Sequence, residues 1–169
     1  MSINLFFFLL LGLLAGMFGY FKPIESTKAN QEEIPQFELD SFIIYEISTA
    51  GIDRFFEGEH GKRFEDRYEV SSAKFSDNSK QLFESIRANE ALYKEDVITL
   101  NGNVHYVRED GLQFRSNEGQ YDKPHSLVST RGNFVITQNG NRVLGTSLRF
   151  NTLYDTVSAN AVSGSYQLD

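Results

Sequence analysis

"RSNEGQYDKPHSLVSTRGNFVI", residues 115–136, is a near copy of "RANEALYKEDVITLNGNVHY", residues 87–106. The first halves share the pattern R-x-N-E-x-x-Y, and the second halves share Gly-Asn, at Gly102 and Gly132. The matching positions in the first halves are Arg87 and Arg115, Asn89 and Asn117, Glu90 and Glu118, and Tyr93 and Tyr121. An internal period of about 29 residues is typical of a fold that repeats one supersecondary unit.

Alternation of apolar and polar residues with period two runs through these repeats and favours β-strands. It predicts four inward-facing sets: Phe37, Leu39, Ile43, Tyr45 and Ile47; Ile98, Leu100, Val104 and Tyr106; Val128, Phe134 and Ile136; and Leu144, Leu148 and Phe150. Turn signals separate the sets, at Asp110-Gly111, Lys123-Pro124 and Asn139-Gly140. The sequence therefore predicts a repetitive antiparallel sheet.

Two details of this prediction depend on the repeat. The segment "SKQLFESIRANEALY", residues 79–93, could be taken for a helix, but its likeness to the later R-x-N-E-x-x-Y copy predicts a strand. Each unit also has a small residue in its second strand, at Gly102, Gly132 and Ala161. A glycine in mid-strand is typical of a bulge, a sharp bend or a close backbone approach.

The first 21 residues have a different character. Residues 3–21, "INLFFFLLLGLLAGMFGYF", are apolar except for Asn4, and as a helix they would span roughly 28 Å, close to the thickness of a bilayer's hydrocarbon core. A cleaved signal peptide is the alternative, but no Lys or Arg precedes the run and no clean cleavage site follows it. We therefore predict an uncleaved transmembrane anchor over residues 1–21.

The polar stretch 22–36 predicts a linker, and residues 37–169 are long enough for one domain. The charge pattern around the anchor weakly favours the orientation in which the following domain is not exported, since the nearest positive side chains, Lys22 and Lys28, follow the helix. The chain's formal net charge of -7 lies in its first half.

Catalytic and metal chemistry find little support in the sequence. Cysteine is absent, and His60, His105 and His125 are too far apart in sequence for the usual ligand spacings. No nucleophile motif, phosphate loop or carboxylate pair with distinct environments stands out. An acidic chain without a basic stripe along its sequence also argues against nucleic acid. We expect no enzyme activity, no metal and no cofactor.

The end of the chain is unusual for a sheet edge. The last twenty residues contain no Lys, Arg or Pro, which are the residues that commonly block edge strands. This favours a final strand, near residues 157–166, that accepts a strand from another protein. The alternative is a final strand paired inside the domain. The opposite end, residues 37–47, follows the linker and would face a membrane partner.

The chain has 15 Phe and 8 Tyr. A bent sheet lined by such side chains could hold acyl chains, because each CH₂ group kept from water contributes about 0.8 kcal/mol. The lipid-contacting residues that we predict are Phe64, Tyr68, Ile98, Leu100, Val104, Tyr106, Phe114, Val128, Phe134, Ile136, Leu148 and Phe150.

Taken together, the anchor, the linker, the repeats "ITLNGNVHY", "GLQFRSNEGQYD", "STRGNFVI" and "LGTSLRFN", and the terminal "SGSYQ" resemble the LptC family. That family is the bitopic inner-membrane component of the lipopolysaccharide export bridge of Gram-negative bacteria. The resemblance implies an all-β, open, OstA-like β-jellyroll in the periplasm, behind one transmembrane helix in the inner membrane. The acidic segment 57–69 departs from the family pattern.

The resemblance also implies partners. Lipopolysaccharide would come from the subunits of an inner-membrane ABC transporter and pass to a soluble periplasmic bridge protein, which docks by edge-strand addition. The residues expected to bind that partner are Gly132, Val157, Val162 and Tyr166. An alternative function for the same edges is a membrane-anchored scaffold for protein assembly that binds no lipid.

Overall fold

A computed structural model of the chain describes residues 33–49 and 51–167. The ten β-strands are β1 (Phe37–Ser48), β2 (Gly51–Arg63), β3 (Arg67–Asp77), β4 (Glu84–Lys94), β5 (Val97–Arg108), β6 (Gln113–Asp122), β7 (Leu127–Ser129), β8 (Asn133–Gln138), β9 (Asn141–Asn151) and β10 (Thr156–Ser165). The predicted anchor and most of the predicted linker lie outside the described residues. Within those residues, none of the secondary structure is a helix of the length and apolarity needed to cross a membrane.

The strands form one antiparallel sheet in which sequence neighbours are mostly spatial neighbours. The ten strands make nine ribbons, because β7 and β8 are two halves of one ribbon that pairs with β6 on one side and β9 on the other. At the ends of the sheet, β1 pairs with β2 and β10 pairs with β9. In the described part of the chain neither end strand has a second neighbour, so the sheet is open.

The two copies of the sequence repeat form equivalent strands of the sheet, as the sequence predicts. The two copies of R-x-N-E-x-x-Y lie in β4 and β6, and the two Gly-Asn copies follow in β5 and between β7 and β8. The segment that could be taken for a helix contains β4 and is therefore a strand. The predicted all-β antiparallel fold is confirmed.

Most ribbons bend near their middle at a residue with positive φ. The non-glycine residues of this kind within strands are Ser41, Ser72, Asn103, Ser147 and Ala161, with φ between 47° and 54°. Gly102, with φ of 73°, joins Asn103 in β5. Such residues interrupt the ladder and shift the alternation of side chains, and together they form a line across the sheet that we call the crease.

At the crease the side-chain alternation changes, and this change lets residues on both sides of the bend point to the same face of the sheet. Gly58 and Gly61 are three residues apart, yet a Cβ atom at either position would meet the ring of Phe42, at 2.6 and 2.8 Å. Both positions therefore face the same side, although strict alternation would place them on opposite sides. Side chains before and after the bend consequently line one continuous face.

Two of the predicted inward sets are wrong beyond this bend. In β1, Phe37 and Leu39 face inward, but the positive φ of Ser41 turns Ile43, Tyr45 and Ile47 outward. In β9, Leu148 and Phe150 face inward, whereas Leu144, on the other side of Ser147, faces outward opposite Val135. Strict period two fails at both places because a residue in the left-handed region interrupts the alternation. The side chains that follow it then point to the face opposite to the one that strict alternation predicts.

Small residues fill the inward face along the crease. Gly58, Ala73, Ala88 and Gly145 are buried there, together with the larger Val104 and Phe134. Phe42 lies over the glycines of β2, and Phe134 lies over Gly145. The most closely packed part of the domain is therefore a narrow floor at the bend.

Candidate functional site

Two rows of directly opposed residues run across the sheet on its inward face, one on each side of the crease. Residues that stand opposite each other in neighbouring antiparallel strands point to the same face. The first ladder is Ile44, Phe56, Phe75, Ile86, Tyr106, Phe114, Ile136 and Val143, and it ends beside Gly164. The second ladder is Phe37, Arg63, Tyr68, Tyr93, Ile98, Tyr121, Val128, Phe150 and Val157.

The side chains of both ladders are only partly covered. Most are half-buried, and exposure increases at the ends of the rows, reaching 56% at Phe37 and 64% at Val157. A sealed core would bury such residues almost completely. The two ladders and the floor between them therefore form an open apolar trough that continues to both free edges of the sheet.

Charged residues close the far side of the first ladder. The next inward row beyond it pairs Arg54 with Asp77, Asp77 with Glu84, and Glu84 with Arg108. Arg54 donates to Asp77 at 3.2 Å, and Arg108 donates to Asp110 at 2.8 Å. Because these charges are paired with one another, this rim is polar and close to neutral.

The chemistry of two rim groups follows from their surroundings. Burial opposes the ionised form of Asp77, but hydrogen bonds from Ser79 and Arg54 outweigh it and lower the pKa of its carboxyl group. The Tyr106 hydroxyl group donates a hydrogen bond to the Glu84 carboxylate at 2.8 Å. Burial, together with this carboxylate, raises the pKa of Tyr106 well above its ordinary value. Tyr106 therefore keeps its proton and holds Glu84 in place.

The rim beside the second ladder has cations over aromatic rings. The Arg63 guanidinium lies 5.6 Å from the centre of the Tyr68 ring, and Lys123 Nζ lies 4.6 Å from the centre of the Tyr93 ring. The two tyrosine rings are 6.0 Å apart. Contacts of this kind stabilise exposed sites by about 0.5–1 kcal/mol each, and they keep the tyrosines oriented along the trough.

Most of the predicted lipid-contacting residues lie on the ladders. Tyr106, Phe114 and Ile136 belong to the first ladder, and Tyr68, Ile98, Val128 and Phe150 belong to the second. Leu100 faces inward in the next row, opposite Gly119. The other four residues, Phe64, Val104, Phe134 and Leu148, are at most 8% exposed. Neighbouring side chains cover them almost completely, and Val104 and Phe134 belong to the floor between the ladders.

Several ladder residues are absent from the sequence-based set: Ile44, Phe56, Phe75, Ile86, Tyr93 and Tyr121. Tyr93 and Tyr121 could have been found, because they are the tyrosines of the repeated motif. Phe56 could not, because the adjacent pair Phe55-Phe56 gives no alternation from which to choose an inward face. The Phe42 ring, 5.8 Å from the Phe56 ring, shows which one is inward.

The free edge at β10 exposes three of the predicted partner-binding residues. Val157, Val162 and Tyr166 are 64%, 58% and 69% exposed. Gly132 lies elsewhere, between β7 and β8, where its carbonyl oxygen accepts a hydrogen bond from the Ser147 amide. Gly132 is thus covered by β9 and does not reach the edge.

The three histidines have separate surroundings. His60 bonds Asp40 at 2.6 Å, His125 bonds Asp122 at 2.8 Å, and His105 Nε2 lies 3.4 Å from Gln113 Oε1. Over residues 33–49 and 51–167, no three His, Asp or Glu side chains gather closely enough to hold a metal ion.

The open, bent antiparallel sheet with an aromatic inward face defines a β-jellyroll. No protein-family model and no curated protein sequence matches the chain. Among solved structures, the chain is similar to LptH from Pseudomonas aeruginosa, described as the LptA-homologous periplasmic component of the conserved lipopolysaccharide transport device. The TM-score is 0.51 at 13% identity, over 78% of this chain and 94% of that one. The likeness shows that this chain has the LptA-like jellyroll fold.

Proposed function

We propose that this chain is a membrane-anchored lipopolysaccharide transport protein of the LptC type. It receives lipopolysaccharide from the subunits of an inner-membrane ABC transporter and passes it along the trough to a soluble periplasmic β-jellyroll protein. The observation that supports this proposal most is that the trough continues to both free edges of the sheet, because both ladders begin in β1 and the second ends in β10 at Val157. The fold neighbour, a periplasmic component of a lipopolysaccharide transport device, supports the same class of cargo.

The physical basis is partial shielding of acyl chains. Nine ribbons at about 4.8 Å spacing make a trough roughly 38 Å long. Each CH₂ group that the ladders cover is kept from water, which contributes about 0.8 kcal/mol, so the trough lowers the cost of carrying a multi-chain lipid outside a membrane. Because the trough is open along its length, the lipid can move along it without a large barrier to release.

Each free edge of the sheet can bind one of the two protein partners. At β10, the backbone can accept a strand of the soluble bridge protein, and the ladder end at Val157 then continues into that protein's own inward face. At β1, the sheet can be continued by the periplasmic part of the transporter. The helix over residues 1–21 anchors the chain in the inner membrane, with the β-jellyroll in the periplasm. No catalytic step, cofactor or metal is part of this function.

A photo-crosslinking experiment in cells tests the proposal. A crosslinking amino acid at Ile98 or Phe150, both half-buried on the second ladder, should capture lipopolysaccharide. The matched control is Val107, which is also half-buried in β5 but faces outward opposite Gln113. Capture at the ladder positions with none at Val107 supports the proposal. Equal capture at all three, or none at the ladder, contradicts it.

The alternative of a scaffold without lipid rests on the free edges alone, since strand addition needs only backbone groups. Ile98→Asp separates the two functions, because it places a charge in the trough far from either edge. For a transport protein, lipopolysaccharide at the cell surface falls while binding to the soluble partner persists. For a scaffold, neither quantity changes.

A further inference from the structure

The outward face of the sheet carries a row of basic side chains on consecutive strands. Lys74 in β3 stands opposite Arg87 in β4, Arg87 stands opposite His105 in β5, and His105 stands opposite Arg115 in β6. Like charges directly opposite one another in a sheet are destabilising. In a chain with a net charge of -7, this concentration of positive charge needs a physical explanation.

Within the described part of the chain, intramolecular partners neutralise only one end of the row. Lys74 forms an ion pair with Glu57 at 2.6 Å. Arg115 Nη2 and His105 Nε2 share one neutral acceptor, Gln113 Oε1, and both distances are 3.4 Å, longer than ordinary hydrogen bonds. Arg87 forms no ion pair with any residue in 33–49 or 51–167 and is exposed.

The two arginines act on the same imidazole. Burial lowers the pKa of His105, and the positive charges of Arg115 and Arg87 lower it further. The guanidinium groups therefore both lie close enough to affect the ring between them. Across two strand spacings, roughly 10 Å, two arginine side chains are long enough to reach a single small anion above His105.

Folding does not account for these arginines, although they belong to the repeated motif. Four of the six other motif residues have evident structural roles. Asn89 packs against Gly102 and bonds Asn103, Glu118 accepts the Arg131 amide, and Tyr93 and Tyr121 stand in the second ladder. Arg87 and Arg115 instead flank β5 from both sides, and neither forms an ion pair with a carboxylate of residues 33–49 or 51–167.

We propose that Arg87, His105 and Arg115 form a phosphate-binding site on the outward face of the sheet. Two guanidinium groups can donate paired N–H bonds to one phosphate, and the imidazole can donate a further bond to it. The phosphate replaces Gln113 as the acceptor and removes the repulsion along the row. Its source is either free phosphate or the phosphate of a lipid headgroup, and the site is separate from the apolar trough.

The test uses the full chain in an uncharged detergent and follows the His105 imidazole by NMR during pH titration. Sodium phosphate should raise the pKa of His105 relative to sodium chloride at the same ionic strength, because a bound anion favours the imidazolium form. Glycerol phosphate, as a headgroup mimic, identifies the source by comparison with inorganic phosphate. An effect of either compound supports the site. Curves that coincide with the chloride curve for both compounds overturn it.

Variants assign the effect to the arginines. Arg87→Gln and Arg115→Gln should each weaken phosphate affinity by about fivefold, the effect of losing one exposed charged contact. Arg149→Gln, an exposed arginine in β9, is the matched control and should leave the affinity unchanged. A loss of affinity in the control as large as in the other two contradicts the assignment. The wild-type titration decides the proposal even if a variant fails to fold.

Discussion

The close packing of the crease makes a quantitative prediction for Gly145→Ala. Gly145 lies in β9 opposite Phe134, and an added Cβ atom would stand 2.6 Å from Cζ and 2.8 Å from Cε1 of that ring. Phe134 is 2% exposed and stacks on Phe114 with ring centres 6.2 Å apart, so its ring has no room to move. Overpacking of this kind costs about 1–3 kcal/mol, and we expect the free energy of unfolding to fall by that amount.

Gly119→Ala is the matched control, since Gly119 also faces inward in mid-strand. A Cβ atom there would lie 3.7 Å from Cγ1 of Val104, an ordinary contact. Removing a glycine then stabilises by about 0.4–1 kcal/mol, because the unfolded chain has fewer conformations to lose. Urea unfolding of both variants, followed by far-UV circular dichroism, gives the two free energies. Equal stability of Gly145→Ala and the parent protein would refute the close-packed floor.

Three further predictions concern the edge, the bend and the rim. Val157→Lys should weaken binding of the strand-donating partner about tenfold or more, because a lysine on an exposed edge disfavours strand addition, and a pull-down assay measures this. Gly102→Ala should destabilise by about 1–2 kcal/mol, since its φ is 73° and a Cβ would meet Asn89 at 2.6 Å, whereas Gly132→Ala, with 3.9 Å to the nearest atom, should be nearly neutral in urea unfolding. Asp77→Asn should destabilise at pH 7 by about 1.5–3 kcal/mol, the loss of hydrogen bonds to a charged group, and unfolding measured across pH should show the difference disappearing in acid.

The sign of the pH effect follows from the lowered pKa of Asp77. The stabilisation by the ionised carboxylate is fully present above its ordinary pKa of 3.8 and is lost as the pH falls through the lower value in the folded chain. An Asp77→Asn effect that persisted unchanged in acid would contradict this. For the edge variant, stability is the control. Val157 is 64% exposed, so Val157→Lys should leave the free energy of unfolding nearly unchanged. If the free variant unfolds, its weaker partner binding is due to lost folding and not to a blocked edge.

The sequence was sufficient to predict the class of fold because two independent patterns agreed. The copies around Arg87 and Arg115 and the alternation in "VITLNGNVHYV" both required strands, and the structure contains them as β4, β5 and β6. The free edge at β10 was also predictable, since the absence of Lys, Arg and Pro there is visible in the chain. The anchor over residues 1–21 stays a prediction.

The bend was not predictable in detail. Ser41 and Ser147 adopt positive φ without the glycine that usually signals it, so the inward set reversed after each of them. The three small residues of the repeat also differ: Gly102 and Ala161 have positive φ, whereas Gly132 lies where a ribbon is interrupted. The basic row on the outward face was equally hidden, because its members lie on different strands and only the register brings them together.

A crosslinker scan along β3 is the sharpest test of the acyl-binding trough, because the residues that face inward change there from even to odd positions. Tyr68 faces inward before the bend at Ser72, and Phe75 faces inward after it. We predict lipopolysaccharide crosslinks at residues 68, 70 and 75 and none at residues 69 and 74. Crosslinks that follow the even positions through residue 74, or that show no preference for either face, would contradict an acyl-binding trough built on this bend.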